Sequence, residues 1–339
     1  MGWTDVRSAG MTALRRVRSA AGGAVVVLTY HRVAEAGSDP EGITVTPARF
    51  AEHVASFASR YELVTAGELG RRLVERTALP RNGVCITLDD GYADALSAAL
   101  PVLSEHAAPA TVFACSGYLD EPREFWWDEL ERLVLLPTVL PERLEIVAAH
   151  EHFTRELPGG TVAAEATRRQ LHRDLSDLIE PLPSGGREEV LRQVREQTGQ
   201  ERSVRADKRP LSADELRVLA DSGLVEIGAH TVNHVRLGSL ALAGQRDEIV
   251  GSKRRLEELL DRPVESFSYP YGTRGAFSAE TQRLVRDAGF VSAVTAGLGS
   301  LVPWGSVYRG SDRFALPRTA TADVPAAELT ALIDRRLGL

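Results

Sequence analysis

The chain has 339 residues, of which 43% are hydrophobic and 26% are charged, and its formal net charge at pH 7 is −7. This composition is that of an ordinary globular protein, and it excludes a long disordered chain, a collagen-like repeat and a disulfide scaffold. The negative charge offers no general basic field to a phosphate backbone, so we expect no nucleic-acid partner. Cys85 and Cys115 lie in apolar runs and are expected to be buried thiols, with a single disulfide as the alternative.

The first 23 residues are predicted to form a helical extension before a domain that covers residues 24–339. Apolar residues recur here near helical spacing beside arginines, which is typical of a surface helix packed on a domain, and weak membrane-surface docking is the alternative. No stretch reaches the ~18 apolar residues of a membrane-crossing helix. The apolar run at 25–28 is too short for a signal peptide. We therefore expect a cytoplasmic protein that is at most peripheral to a membrane.

From residue 24 onward, short apolar runs alternate with amphipathic segments, which predicts parallel strands joined by crossover helices. The predicted strands cover 25–29, 83–88, 110–114, 224–228, 266–269 and 290–295. The predicted helices start after Thr46, cover 66–75, pass through Leu96, Leu100 and Leu103, and cover 213–221, 246–260 and 279–288. Residues 119–209 interrupt this alternation with charged, helix-favouring sequence, which we interpret as a helix-rich insertion.

Three predicted strands end in polar residues that packing alone does not explain. These residues are Asp89 and Asp90 after one strand, His230 and His234 after another, and Tyr271 after the third. Because the carboxyl ends of parallel strands meet on one face of an α/β fold, we expect these groups to lie close together.

His230 and His234 are four residues apart, which places both imidazoles on one side of a helical turn or a tight loop. With one carboxylate they complete a His2Asp ligand set for a divalent metal, with a position open to water or substrate. A pair of hydrogen-bonded surface histidines is the alternative, because His-x-x-x-His alone is a weak motif.

Helix capping does not explain both Asp89 and Asp90, because a single carboxylate satisfies the amides of a first helical turn. In a metal hydrolase, one aspartate binds the ion while its neighbour accepts a proton from the attacking water. An Asx turn in which Gly91 opens a helix is the alternative.

Several segments together resemble the ordered motifs of the polysaccharide deacetylases, carbohydrate esterase family 4. They are TLDDG at 87–91, TVFACSGYLD at 111–120, HTVNH at 230–234, SYPYG at 268–272 and LPRTATAD at 316–323. TYHRV at 29–33 and FWWDELERL at 125–133 are similar to the exopolysaccharide-type branch of that family. The resemblance runs from about Val25 to Leu332 and implies an α/β fold, a distorted seven-stranded (β/α) barrel with a helical insertion.

The resemblance also implies a role for each matching residue. Asp89 would be the general base. Asp90, His230 and His234 would hold one divalent metal ion, commonly zinc in such enzymes, with cobalt, manganese and nickel as alternatives. The backbone amide of Tyr271 would stabilise the oxyanion together with the metal, unless Tyr271 only walls the pocket.

The chain departs from the family pattern at two places. Many members carry an arginine where this chain has Ser268, and Arg318 is our candidate to tune Asp89 instead; the alternative is that Arg318 only ties the last strand to the barrel. The late leucine-x-histidine motif that supplies the general acid is missing, and no histidine follows His234. His31, at the end of the first strand, is our candidate acid, with a neutral histidine bonded to the backbone as the alternative.

Aromatic residues are the other candidates for substrate contact. Trp126 and Trp127 offer a platform for a sugar ring, although packing anchors for the insertion helix are the alternative. Tyr30, Pro270 and the side chain of Tyr271 are also expected to contact the substrate.

The expected function is hydrolysis that removes N-acetyl groups from an amino-sugar glycan or glycan precursor and releases acetate. The sequence contains no G-x-S-x-G, Walker A or Rossmann glycine motif, which disfavours a serine hydrolase and nucleotide chemistry. One alternative is a metal-dependent amide hydrolase acting on a small molecule of specialised metabolism. The other is a non-catalytic glycan-binding module. The expected partner is an N-acetylated sugar, an oligosaccharide or a related small amide.

Overall fold

The computed structural model describes residues 23–137, 139–148, 151–157, 165–273, 275–296 and 306–339. The predicted helical extension over residues 1–23, including its weak membrane contact, therefore lies outside the described residues except for Gly23. None of the described helices combines the length and the apolar character that a bilayer crossing requires.

Strands and helices alternate along most of the described chain. The strands are β1 (Val25–Tyr30), β2 (Arg32–Val33), β3 (Thr44–Val45), β4 (Glu62–Leu63), β5 (Gly83–Leu88), β6 (Ala110–Ala114), β7 (Arg143–Ala148), β8 (Glu151–Glu156), β9 (Val225–Ala229), β10 (Ser266–Ser268), β11 (Ser292–Val294) and β12 (Arg318–Ala320). The helices are α1 (Pro47–Arg60), α2 (Ala66–Glu75), α3 (Leu100–Glu105), α4 (Trp126–Val134), α5 (Glu165–Ile179), α6 (Ser184–Thr198), α7 (Ala213–Asp221), α8 (Leu242–Leu260), α9 (Ala279–Asp287) and α10 (Ala326–Leu337).

Seven parallel strands form a nearly closed barrel in the order β11, β10, β9, β6, β5, β1, β12. Leu316, just before β12, pairs with Val294 of β11 and brings the two edges of the sheet together. The short strand β4 pairs beside the start of β5. Helices cover the barrel, and the strands β1 and β5 are buried along their whole length. The predicted distorted seven-stranded barrel is confirmed.

Local sequence signals explain where several of these elements begin. The hydroxyl of Thr46 accepts from the Arg49 amide, and Pro47 occupies the first turn of α1. Ser212 and Glu215 form the capping box that starts α7. The helix predicted through Leu96 is instead a π-helical turn that leads into α3. The cysteines are buried free thiols, as expected.

The insertion has a hydrophobic core of its own, in which α4 packs against α5 and α6. It also contains an antiparallel hairpin of β7 and β8, which the prediction of a helix-rich insertion did not include. The sequence RLEIVA of β7 alternates exposed and buried residues, which is the period of a strand. Tyr92 and Cys115 of the barrel join the same cluster, so the insertion packs on the end of the barrel where strands β5 and β6 finish.

Candidate metal centre

The register of the parallel strands brings the predicted site residues to one level. Tyr30 pairs with Leu88, so His31 and Asp89 both follow directly at the ends of neighbouring strands. Ala229 pairs with Ala114 on one side and with Phe267 on the other, which places His230 beside Ser268. The expectation that these groups meet at one end of the barrel is confirmed by the structure.

The loops at these strand ends hold non-glycine residues in the left-handed region of the backbone. The φ angles are 72° at Asp90, 50° at His234 and 60° at Tyr271. Such conformations cost of order 1 to 3 kcal/mol each and concentrate at functional sites. Three predicted site residues therefore lie in loops whose backbone conformation is strained.

Asp90, His230 and His234 form the one group of three or more potential metal ligands found among the described residues. Their ligand atoms all lie within 4.8 Å of one another. Nε2 of His234 is 3.3 Å from Oδ1 of Asp90, and Nε2 of His230 is 3.5 Å from the same atom. All three side chains are buried.

The polar atoms of this cluster fit a bound divalent cation. Asp90 is only 2% exposed, yet neither of its carboxylate oxygens has a hydrogen-bond partner among the described residues. Nδ1 of His230 lies 2.8 Å from the carbonyl oxygen of Ser268, so donation from Nδ1 leaves Nε2 as a free lone pair toward Asp90. Burial lowers the pKa of His234 to about 3, which keeps its imidazole neutral at pH 7. A desolvated carboxylate and two imidazoles are a donor set typical of zinc.

Asp89 is held by a buried guanidinium. Nη1 and Nη2 of Arg318 donate to the two carboxylate oxygens at 2.7 and 2.6 Å, and Oγ of Ser268 donates to Oδ2 at 3.1 Å. Burial alone would raise the pKa of Asp89, but the charges of Arg318 and His230 outweigh it and hold that pKa below its ordinary value. Asp89 is therefore an ionised carboxylate next to the ligand cluster.

Arg318 also bonds the walls of the barrel. Its Nε donates to the carbonyl oxygen of Thr295 at 2.6 Å, and its Nη1 donates to the hydroxyl of Thr87 at 3.1 Å. Arg318 therefore makes both kinds of contact that the sequence suggested. It ties the last strand to other residues of the barrel, and it donates two hydrogen bonds to Asp89.

A cavity of about 280 Å³ opens over this cluster. The predicted site residues that line it are His31, Asp89, Asp90, Trp126, Trp127, His230, His234, Tyr271 and Arg318. His31 is partly exposed at the end of β1. No hydrogen-bond acceptor for the Tyr271 amide lies among the described residues, which leaves that N–H available.

Two residues expected to contact substrate do not line the cavity. Tyr30 is 1% exposed, its hydroxyl lies 3.0 Å from Nδ1 of His53, and its ring packs edge-on against Phe50. Because successive strand residues point to opposite faces, Tyr30 faces α1 while its neighbours face the cavity, so the structure does not bring Tyr30 to the cavity wall. Pro270 is buried outside the cavity wall, where its carbonyl accepts from the Gly272 amide in a tight turn.

The two tryptophans pack and line the cavity at once. Trp127 lies edge-on to His234, with ring centroids 4.8 Å apart, and its Nε1 donates to the Tyr92 hydroxyl at 2.8 Å. Nε1 of Trp126 donates to the hydroxyl of Tyr271 at 3.2 Å. Both indoles are largely buried, so only a small part of each ring is exposed to the cavity.

Sequence reasoning missed Arg187 of α6. This residue is 3% exposed, and it donates to the carbonyl oxygens of His234 at 2.7 Å and Glu180 at 2.6 Å. Its guanidinium also faces the rings of Trp126 and Tyr271 at 5.7 and 6.0 Å. The insertion is thereby bonded to the loop that carries His234. The sequence does contain one indication that Arg187 is buried: it lies on the same helix face as the apolar residues at 190, 191 and 194.

Three solved structures are similar to this chain. Deacetylase PplD of Streptococcus pyogenes, solved in complex with acetate, gives a TM-score of 0.57 at 15% identity, over 92% of this chain and 99% of that one. A de-N-acetylase of Aggregatibacter actinomycetemcomitans gives 0.56 at 16% identity, over 91% and 99%. IcaB of Ammonifex degensii gives 0.55 at 17% identity, over 91% and 97%. At these identities the likeness establishes the fold.

The family assignment comes from the sequence. No curated protein matches this chain. A family model described as polysaccharide deacetylase matches residues 76–137 and 190–293. These two segments contain Asp89, Asp90 and the histidine pair, together with the turn at Tyr271. The chain belongs to the polysaccharide deacetylase family.

Proposed function

We propose that the protein is a metal-dependent hydrolase that removes N-acetyl groups from an amino-sugar-containing glycan or glycan precursor and releases acetate. One juxtaposition carries the proposal: a carboxylate held ionised by Arg318 lies beside a buried cluster of one carboxylate and two imidazoles. Nε2 of His230 is 3.7 Å from Oδ2 of Asp89, so the proposed base borders the proposed ligands.

Asp90, His230 and His234 would hold one divalent ion. Zinc suits this donor set, and cobalt, manganese and nickel share its preference for imidazole and carboxylate. When bound, such an ion polarises the acetamide carbonyl and lowers the pKa of water. The neutral His234 is ready to bind without losing a proton. Although burial opposes it, Asp89 and Asp90 raise the pKa of His230, so metal binding at Nε2 of His230 displaces the proton that these carboxylates favour.

The remaining residues move protons and orient the amide. Asp89 accepts the proton of the water molecule whose oxygen bonds to the acetyl carbon. The Tyr271 amide donates to the oxygen that becomes negative. The carbon–nitrogen bond then breaks, and His31 gives its proton to the leaving nitrogen, so the products are acetate and a free amine. Arg318 keeps the Asp89 carboxylate in position through two hydrogen bonds.

Several observations support a sugar as the substrate. Trp126 and Trp127 wall the cavity, and aromatic rings suit the apolar faces of sugar rings. The family is named for deacetylation of polysaccharides, and one structural neighbour is a de-N-acetylase. TYHRV and FWWDELERL extend the similarity to the exopolysaccharide-type branch.

The size of the cavity favours one other candidate. A volume of about 280 Å³ suits a single ring or a compact amide, so a metal-dependent amide hydrolase acting on a small molecule is the second proposal. No observation favours the non-catalytic glycan-binding module.

Acetate release from N-acetylglucosamine oligomers by the metal-reconstituted protein tests the proposal. We expect release that stops on chelation and in Asp89→Asn, whereas the matched control Asp214→Asn, at an exposed position, keeps full activity. Bound metal without release from any oligomer would favour the small-molecule hydrolase. Release that survives chelation would contradict a metal-dependent reaction.

A further inference from the structure

One face of α5 lines two neighbouring cavities. Ser176, near the carboxyl end of this face, and Glu180, directly after the helix, line the cavity over the proposed metal centre. His172 and Arg169, one and two turns earlier, line a second cavity of about 460 Å³. The residues are spaced by three or four, so they stand in one row along the helix.

The loop between β2 and β3 covers the same face of α5. Glu41 and Ile43 of this loop line the first cavity, while its residues 37–40 line the second. The two cavities therefore lie side by side between the same two segments. With 1.5 Å per helical residue, Glu180 and Arg169 are about 16 Å apart along the helix, which is longer than one sugar ring.

The second cavity is built from cations and a buried imidazole. His172 is 5% exposed, and its Nε2 has no hydrogen-bond partner among the described residues. Arg168 is 9% exposed and donates to the carbonyl oxygen of Val134. Arg173 donates to Gln170 at 2.6 Å and pairs with no carboxylate in the described part of the chain.

The carboxylates of the second cavity are already engaged. Glu165 accepts from Nε of Arg169 at 2.9 Å, and Asp39 accepts from the amides of Ile43 and Thr44. Leu135 and Leu136 supply an apolar wall.

The two cavities have opposite electrostatic character. The cavity over the metal centre contains four carboxylates and one guanidinium, whereas the second contains three guanidiniums and two carboxylates. A ligand that reached from the first cavity to the second would meet more guanidiniums than carboxylates only at its far end. Arginines bind carboxylate and phosphate groups through charge-assisted hydrogen bonds.

We infer that the second cavity is a substrate subsite for an anionic group, and that the substrate is a glycan long enough to fill both cavities. The group is a carboxylate or phosphate on a sugar several units from the acetamide, bound by Arg173 and His172. This inference rests on the proposed function, because it concerns the same substrate at a greater distance from the reacting bond.

The test uses the metal-reconstituted full chain and two hexamers. One is a neutral N-acetylglucosamine hexamer, and in the other every second sugar is a uronic acid. We expect kcat/KM, from acetate release, to be about tenfold higher for the anionic hexamer, since a charge-assisted contact is worth about one decade in affinity. Arg173→Gln should abolish this preference, and Arg173→Lys should keep most of it.

Controls separate the subsite from a structural effect. Arg192→Gln, on the exposed face of α6, should keep the preference and leave turnover of monomeric N-acetylglucosamine unchanged, and Arg173→Gln should keep the metal content and the thermal midpoint of the original protein. Equal kcat/KM for the two hexamers, or a preference that persists in Arg173→Gln, would overturn the inference. If neither hexamer released acetate, the proposed function would fail, yet calorimetric binding of the anionic hexamer that disappears in Arg173→Gln would still support the subsite.

Discussion

The barrel and the insertion both bury charged side chains, but they use them differently. At the end of the barrel, one guanidinium, Arg318, donates two hydrogen bonds to one carboxylate, Asp89, next to the cluster that contains the unpartnered Asp90 carboxylate. In the insertion, buried carboxylates of α4 are shared among several cations: Lys208 pairs with Asp128 at 3.0 Å, and Arg195 pairs with Glu129 at 2.7 Å.

This difference indicates that the barrel pair serves the reaction and that the insertion network serves the stability of the fold. A buried ion pair is weak evidence for net stability, although removing one partner is strongly destabilising because the other charge stays buried. The barrel pair borders the cavity, so its removal should change the reaction as well as stability. The insertion contacts the site residues by Trp127 against His234, by Trp126 to the Tyr271 hydroxyl and by Arg187 to a backbone carbonyl, and none of these contacts involves the carboxylates of α4. Its charged network should therefore govern stability.

The largest expected effect in the barrel is loss of a ligand. His234→Ala should abolish both metal binding and acetate release, because two ligands cannot replace the buried set of three. Metal content by mass spectrometry after dialysis, measured with turnover, checks this. His106→Ala, outside the site, should bind metal normally, and a His234→Ala protein that retained one ion per chain would contradict the assigned ligand.

Removal of the barrel cation should be costly in stability. Arg318→Met leaves Asp89 buried and unpaired, which we expect to lower the free energy of unfolding by about 3 to 5 kcal/mol. Urea denaturation at pH 7 measures this change. Asp89→Asn/Arg318→Met should recover part of the loss, since the two residues form one unit. Additive losses in the double variant would show that Arg318 acts mainly through Thr87 and Thr295.

The insertion should show its largest effect in the pH dependence of stability. Burial raises the pKa of Asp128 to about 6 despite Lys208 and the Tyr92 hydroxyl. Because the folded pKa lies above the unfolded value of ~3.9, the group destabilises the fold progressively as the pH rises from about 4 to 6.

Asp128→Asn removes this titration. The free energy of unfolding of this variant, minus that of the original protein, should therefore be about 2 kcal/mol larger at pH 7 than at pH 4. Denaturation curves at both values check the sign, and Asp214→Asn serves as an exposed control. The same difference at both pH values would show that folding does not raise the pKa of Asp128.

The smallest effect should come from the contact between the insertion and the site. Arg187→Met removes two hydrogen bonds, including the one to the His234 carbonyl, and should weaken metal affinity by roughly tenfold. Competition with a chromogenic chelator measures the affinity, and Arg192→Met on the exposed face of α6 is the matched control. An unchanged affinity would mean that the loop holds His234 without the insertion.

Much of the barrel could be predicted because its signals are local. The bounds of α2, β5, β6 and α7 agree with the sequence prediction, since apolar runs and capping residues define them. The ligand cluster could be expected because short motifs at strand ends carry it.

The remaining features depend on contacts that no local pattern records. The register of β1 against β5 turns Tyr30 toward α1 and away from the cavity. Arg187 lies far along the chain from His234 and has no motif of its own. The alternation of polar and apolar residues in β7 is typical of a strand, but the surrounding sequence favours helices and led to the prediction of a helix-rich insertion.

Anomalous diffraction at the zinc edge, from crystals of zinc-loaded protein, tests the central claim most directly. We predict one peak within about 2.0 to 2.2 Å of the Asp90 carboxylate and of Nε2 in both His230 and His234. The peak should persist in Asp89→Asn, whose acetate release is lost. A zinc-loaded crystal whose peak lies away from these three side chains would contradict the account.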